Sequence, residues 1–286
     1  DEADEEDRER AIAGLGLDKP FHMQYLLFLR GALRGDLGES FIFEEPALLL
    51  IVERMPATME LALFALLIAV VIGIPLGMLA GFRPESITAK TIMSGSILGF
   101  SLPSFWVGIM MMVLFAVHLG WLPSTGRGPT SEWFGIEVSF TSWKGISYLL
   151  MPAINLSLFK LALVIRLARA GTREVVHQDY IKFARAKGLS GRRIVLVHVL
   201  KNIMIPVVTV LGLEFGGLVA FSIVTETVFA WPGMGKLLID SIGMLDRPVI
   251  VAYLMIIVFL FVIINLVVDI LYSILDPRVR LGEIRS

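Results

Sequence analysis

Charges inside apolar stretches come first, because a charge in lipid is costly and marks a candidate functional position. Lys160 and Glu214 are two such residues, and they fall at similar depth in neighbouring stretches. They are expected either to pair inside a helical bundle or to face a wet path through it. Glu60 follows Pro56 within the first turns of another stretch, so it reads as an end-of-helix or capping group rather than a ligand contact. His22 and His118 stand on one side of the apolar stretches and His177 and His198 on the other, and no metal-ligand spacing emerges. The run Met110 to Met112 reads as lipid-facing or core packing. Cysteine is absent, which removes a disulfide framework, a thiolate zinc site and a cysteine nucleophile. No nucleophile with its base, carboxylate pair or metal cluster stands at depth, so an intramembrane enzyme is disfavoured. The GMGK at 233–236 lacks the first glycine and the hydroxyl residue of a phosphate-binding loop, so ATP is not expected to bind this chain.

These residues must be held by helices. The 286 residues are 56% hydrophobic and 18% charged, with mean hydropathy +0.78, outside the range of soluble domains. The expected fold is an all-α, polytopic transmembrane bundle. Five stretches are long and apolar enough to span a bilayer: roughly 57–82, 91–118, 146–165, 202–228 and 247–275. Pro56, Pro152, Pro206 and Pro248 are expected at or near the span entries, where a missing N–H matters least. Pro103, with Gly99 and Ser101 in GFSLPSFW, is expected to kink the second span or break it in two.

The loop charges orient the bundle. Segments 83–90, 166–201 and 276–286 share one side and carry most of the Lys and Arg, against only Arg127, Lys144, Lys236 and Arg247 in the loops opposite, 119–145 and 229–247. The basic side is expected to be cytoplasmic, which makes 276–286 a cytoplasmic tail and 1–56 an external region. The acidic run DEADEED and Glu44 with Glu45 fit that placement. An external N-terminal region needs an export signal, so a sixth span upstream of Asp1 is expected.

The basic loop contains DYIKFARAKGLSGRRIVLVHVLKNIMIP at 179–206. Tyr180, Ile181, Phe183, Ala184 and Leu189 form an apolar stripe at roughly helical spacing, while Lys182, Arg185 and Lys187 fall mostly elsewhere. Gly188 supplies a helix stop, and Ser190 is placed to cap a second helix, GRRIVLVHVLK, that runs toward the span near Pro206. The spacing predicts helix, turn and helix lying under the membrane; a basic loop resting on lipid headgroups is the alternative. On the opposite side, VFAWPGMGKLLIDS looks amphipathic, with Phe229, Trp231, Pro232 and Gly233 at its start. It reads as a short helix dipping back toward a pore entrance or as an interfacial aromatic anchor.

The stretch YIKFARAKGLSGRRIVLVHVLKNIMIPVVT resembles the EAA loop of permease subunits of bacterial ATP-binding cassette importers, in the branch that handles dipeptides, oligopeptides, glutathione and nickel. Aligned on Gly188, only the second alanine of the family pattern survives, as Ala184, and the family proline moves to Pro206. Further likenesses run along the chain in order: LGLDKPFHMQY (15–25), GDLGESF (35–41), PATMELAL (56–63), SLPSFWVGI (101–109), TETVFAWPGMGKLL (225–238) and LDPRVR (275–280). LDRPVI at 245–250 departs from the usual Arg-Asp-Tyr-Pro, and the 119–145 loop is longer than in many relatives.

The resemblance implies a non-catalytic subunit of the bacterial cytoplasmic membrane, moving di- or oligopeptides by alternating access. Nickel or glutathione is the alternative cargo. Its implied partners are a second permease, two ATPase subunits that hold ATP and Mg, an external solute-binding protein, membrane lipid and the peptide cargo; nucleic acid is not among them. It also implies that the loop helix, with Tyr180, Phe183, Ala184, Arg185, Lys187, Gly188 and Leu189, seats in an ATPase groove. An ion-coupled secondary transporter is the rival within transport, disfavoured because no internal repeat is visible.

Overall fold

The computed structural model describes residues 19–275, with side chains described through residue 270. The acidic run at 1–18, the tail at 276–286 and most of LDPRVR lie outside the described residues.

Helix α1 (Phe21–Ala32) precedes a turn and the long α2 (Ala47–Phe82). Helix α3 (Ile87–Ser101), capped by the Ser86 side chain, meets α4 (Ser104–His118) at a break bent by 103°. Leu102 and Pro103 form that break, as the GFSLPSFW pattern leads one to expect. The last turns of α4, Met112–His118, widen to π hydrogen bonding. An outer loop then carries the hairpin of β1 (Ser131–Trp133) and β2 (Ile136–Val138), antiparallel with Trp133 opposite Ile136. Phe134 and Gly135 turn it with φ of 51° and 78°, the positive pair that a two-residue primed turn needs. Helix α5 (Trp143–Val176), short α6 (Asp179–Ala186), α7 (Gly191–Val228), α8 (Met234–Gly243) and α9 (Arg247–Leu275) complete the chain. Helices α2, α5, α7 and α9 are each long and apolar enough to cross a membrane, and the bent α3–α4 pair makes a fifth span if counted as one. That agrees with the five expected stretches.

The boundaries differ from expectation in an instructive way. Helix α2 begins ten residues before 57, leaving Pro56 and Pro75 inside it, and Pro152 and Pro206 are likewise interior to α5 and α7. The flanking stretches are good helix formers, so the helices continue past the apolar boundary and absorb one missing hydrogen bond at each proline. Only Pro248 sits at an entry, as the second residue of α9. The second loop helix is not separate either: it runs without interruption into the fourth expected stretch, 202–228, as α7. Ser190 occupies the cap position, yet its side chain makes no capping bond.

The bundle is built around the crossing of α2 and α5. Gly73, Gly77 and Gly81 recur every fourth residue and so lie on one face of α2. A Cβ at Gly77 would stand 2.6 Å from the Ala168 Cβ and from the Ile165 carbonyl oxygen, and one at Gly81 2.7 Å from the Thr172 Cβ. Removing these side chains lets the backbones approach, which is how helices gain dispersion energy in lipid, where no hydrophobic force draws them together. Two apolar clusters flank the crossing. One, at the hairpin end, includes Leu61, Leu149, Trp231, Met234 and Tyr253. The other, at the α6 end, joins Met78, Val164, Ile181, Ile194 and Ile203.

Gly77→Val is expected to lower the thermal unfolding midpoint of the detergent-purified protein, since overpacking costs about 1–3 kcal/mol. A methyl group at Gly95 meets nothing within 4 Å, so Gly95→Ala should leave the midpoint where it is. Equal midpoints for the two variants would mean that α2 and α5 do not depend on close approach.

Candidate functional site

At the α6 end, helix α6 is two-faced. Ile181 and Ala184 are buried, and partly buried Leu189 joins them against Ile194, Val199 and Ile203 of α7 and Ala168 of α5. This divides the single stripe read from sequence: Ile181 and Ala184, three apart, share the face turned to the chain's own bundle, and Leu189, past the end of α6, packs on the same side. The opposite face presents Tyr180 (43% exposed), Phe183 (61%), Arg185 and Lys187. Lys187 Nζ lies 4.6 Å from the Phe183 ring centroid, a cation–π distance.

Gly188 ends the helix with φ +74°. Its N–H donates to Arg185 O at 2.9 Å and the Leu189 N–H to Ala184 O at 3.2 Å, the paired bonds of a Schellman stop. A Cβ there would meet no atom within 4 Å, so backbone conformation rather than space calls for glycine. In the first turn, Lys182 Nζ donates to Asp179 Oδ1 at 2.8 Å. That hydrogen bond, and then the lysine's charge, hold the Asp179 carboxyl below its usual value, so it stays ionised at neutral pH.

Midway along the bundle, Lys160 of α5 and Glu214 of α7 form an ion pair through Nζ and Oε2. The structure thus brings together the two charges that the sequence placed at similar depth. Lys160 is largely covered, its side chain 16% exposed, whereas Glu214 is 42% exposed.

At the hairpin end, Glu60 is not an end-of-helix group. It lies inside α2 and accepts from Ser139 N at 2.7 Å, Ser139 Oγ at 2.8 Å and Phe140 N at 3.1 Å. Arg127 adds Nε at 3.0 Å and Nη2 at 2.6 Å to the other oxygen. Arg127 also donates to Glu137 O at 2.6 Å and lies 5.7 Å from the Trp231 ring centroid. The long outer loop is therefore pinned to α2 by one carboxylate. A cleft of about 1180 Å³ opens beside this pin, lined by Glu53, Arg54, Met59, Arg127, Trp133 and Phe134.

Phe229 and Trp231 are corrected too. Both are fully buried, and Trp231 Nε1 donates to Ala57 O at 2.9 Å, so they anchor the loop in the core instead of at the lipid interface. Pro232 is exposed. A Cβ at Gly233 would stand 2.4 Å from the Glu226 carboxylate. Sequence reasoning passed over Glu226, which is buried and accepts from Ser222 Oγ at 2.8 Å and Lys236 N at 3.0 Å. A carboxylate just before an aromatic and glycine-rich turn was the available signal. It also passed over Arg127, whose partner lies 67 residues away. Among the described residues no cluster of His, Asp and Glu could hold a metal ion.

A family model described as "Binding-protein-dependent transport system inner membrane component" matches residues 73–281. The di/tripeptide transport system permease protein DppB of Pseudomonas aeruginosa is 40% identical over 282 residues, covering 94% of this chain and 84% of the relative. The dipeptide transport system permease protein DppB of Escherichia coli K12 is 38% identical over 284 residues, with the same coverage. Among solved structures, the inward-facing MetNI methionine ABC transporter matches with TM-score 0.61 at 20% identity, covering 79% of this chain and 96% of the other. An amino acid ABC transporter solved with histidines matches with TM-score 0.54 at 16% identity, covering 80% and 94%. These two likenesses concern the fold alone.

Glu60→Ala leaves Arg127 without its carboxylate in a site where both side chains are nearly covered, 10% and 2% exposed. The expected cost is about 3–5 kcal/mol, as for other broken buried pairs. Hydrogen exchange at residues 127–142 should accelerate, and the double variant Glu60→Ala with Arg127→Ala should cost less than the sum of the two singles. Unchanged exchange in that loop would remove Glu60 as its pin.

Proposed function

The chain belongs to the family of binding-protein-dependent transport system inner membrane components, and from that premise we propose that it is the permease subunit of an ATP-driven importer of di- or oligopeptides. The observation that carries the cargo class is the 38–40% identity to dipeptide and di/tripeptide permeases over nearly the whole chain. The chain works as a multi-pass inner-membrane component without chemistry of its own. Its partners are a second permease, two ATPase subunits that bind ATP and Mg, and an external solute-binding protein.

In this reading α6 is the coupling helix. Its outward face offers Phe183 and Tyr180 to a groove of the ATPase, and Arg185 and Lys187 to acidic groups at the rim. Its inward face is packed against α5 and α7, so a push on Phe183 moves both helices. Helix α7 then acts as a lever: 38 unbroken residues reach about 57 Å at 1.5 Å per residue. The bent α3–α4 pair and the pinned outer loop supply the parts against which the lever moves.

The α6 end is cytoplasmic and the hairpin end external, on the bias of Lys and Arg toward the α6 end. Cysteine is absent from the chain, so single replacements report cleanly. Ser190→Cys should resist an impermeant thiol reagent in intact cells while Ser131→Cys reacts; the reverse pattern overturns the orientation.

Gly188→Leu, which forces a side chain into positive φ, and Phe183→Asp should each uncouple ATP hydrolysis from uptake or release the ATPase subunits. The membrane bundle should still assemble, because neither residue contributes to its buried core. Full ATPase retention with normal cargo-stimulated hydrolysis in both variants would reject α6 as the link and favour a basic loop resting on lipid.

A further inference from the structure

The Lys160–Glu214 pair lies beside a second feature that lipid does not tolerate. At the α3–α4 break, Ser101, Leu102 and Pro103 are all exposed. The break comes fifteen residues into the span, about 22 Å from its start. Non-helical backbone at such depth is found only where it is covered by protein or lines a water-filled cavity. The two features are neighbours: Phe100, just before the break, stacks edge-on against Phe159, the residue preceding Lys160, with centroids 4.9 Å apart.

Along α7, the same side stays open. Gly217, one turn beyond Glu214, has nothing within 4 Å of where a Cβ would be, and Phe221, a further turn on, is 79% exposed. A carboxylate 42% exposed at mid-bundle does not face acyl chains, because a charge there costs about 3 kcal/mol on insertion scales and more in other estimates. That open side calls for a polar neighbour.

A free peptide meets the same penalty as it crosses, since it carries an ammonium at one end and a carboxylate at the other. Resting on the reading of this chain as a peptide importer subunit, we propose that Lys160 and Glu214 form a midway station for a zwitterionic peptide, Lys160 taking the cargo carboxylate and Glu214 its ammonium. The resting pair keeps both charges neutralised when no cargo is present. Cargo entry exchanges one ion pair for two, so each of the four charges keeps a partner at mid-depth. Both side chains are long and multiply rotatable, and their separation can widen to the few ångströms per residue that a short peptide spans. The requirement for both termini also sets a selectivity that an apolar channel lacks: a cargo with one free terminus leaves either Lys160 or Glu214 unpaired.

The test uses the assembled complex with its binding protein in proteoliposomes, with tritiated dialanine as the probe. Three forms are compared with wild type: Lys160→Met with Glu214→Gln, the charge exchange Lys160→Glu with Glu214→Lys, and Gly217→Cys. Lys160→Met with Glu214→Gln should keep assembly while uptake falls about tenfold or more, the loss expected when cargo charges at depth go uncompensated. The exchanged pair still offers one cation and one anion to a zwitterion that can enter reversed, so it should recover much of that uptake. Gly217→Cys, read by the mass of this chain, should be modified by a water-soluble cationic thiol reagent and protected during dialanine turnover.

Wild-type uptake by the neutral double variant would make the pair structural and overturn the proposal. So would an exchanged pair that recovers no uptake although the complex assembles, loss of permease pairing in both, which would place the charges in a subunit interface, or an unreactive Gly217→Cys. A wild-type complex that imports no dialanine, with its ATPase otherwise competent, rejects the cargo reading itself. That result is distinguishable from failure of the station alone.

Discussion

The close crossing of α2 over α5 is the constraint on which the other contacts rest. In lipid, apolar side chains gain nothing by leaving acyl chains for each other, so association depends on fit. Glycines at 73, 77 and 81 let α2 ride against Val164, Ala168 and Thr172 with backbone almost touching backbone. Once that line is set, α5 is placed along its length. Its middle delivers Lys160 to α7, and the turns beyond carry Ala168 under α6.

The two ends of the bundle are then held by different physics. At the hairpin end, buried acids do the holding, each spending its oxygens on donors from loops or from the turns of neighbouring helices. Glu60 takes the backbone of Ser139 and Phe140, Glu226 takes Lys236 N and Ser222 Oγ, and Asp246 takes Ser40 Oγ and Phe41 N. Such a site is costly to disturb, because removing one acceptor leaves several buried donors unsatisfied. At the α6 end, Ile181, Ala184 and Leu189 are held by apolar contact alone. Apolar packing is non-directional and tolerates small slides, whereas a carboxylate that holds several directional donors does not. The hairpin end is therefore the more firmly fixed of the two.

Helix α7 connects the two regimes. It starts one turn after the Gly188 stop, passes Pro206 without a break, carries Glu214 at mid-depth and reaches Val228, two residues past Glu226. One continuous helix thus joins the α6 end to the Lys160–Glu214 pair and to the carboxylates of the hairpin end. The π turns at Ile194–Val199 lie where α7 meets α6, at the point where the helix leaves the loop.

The sequence alone determined the stretches able to span, the break at Pro103 and the stop at Gly188, and it set Lys160 and Glu214 at similar depth while leaving open whether they pair or face a wet path. Each of these follows from local chemistry or from depth along a helix: apolar length, a missing N–H, a left-handed φ, a charge that lipid excludes. Helix ends were less legible, since α2 and α7 extend beyond their apolar windows and carry prolines inside them. Only the tertiary structure decided which face of each helix is covered and by what. Trp231 and Phe229 read as interface aromatics and are core anchors. Glu60 read as a helix-end group and is the pin of a loop whose Ser139 lies 79 residues away. Ala184 and Leu189 read as part of one apolar stripe with Tyr180 and Phe183 and pack instead against the chain's own α5 and α7. The physical reason is the same in each case: a residue's type and local spacing state what environment it can accept, while the partner that supplies that environment comes from a distant segment whose approach is set by close packing between helices.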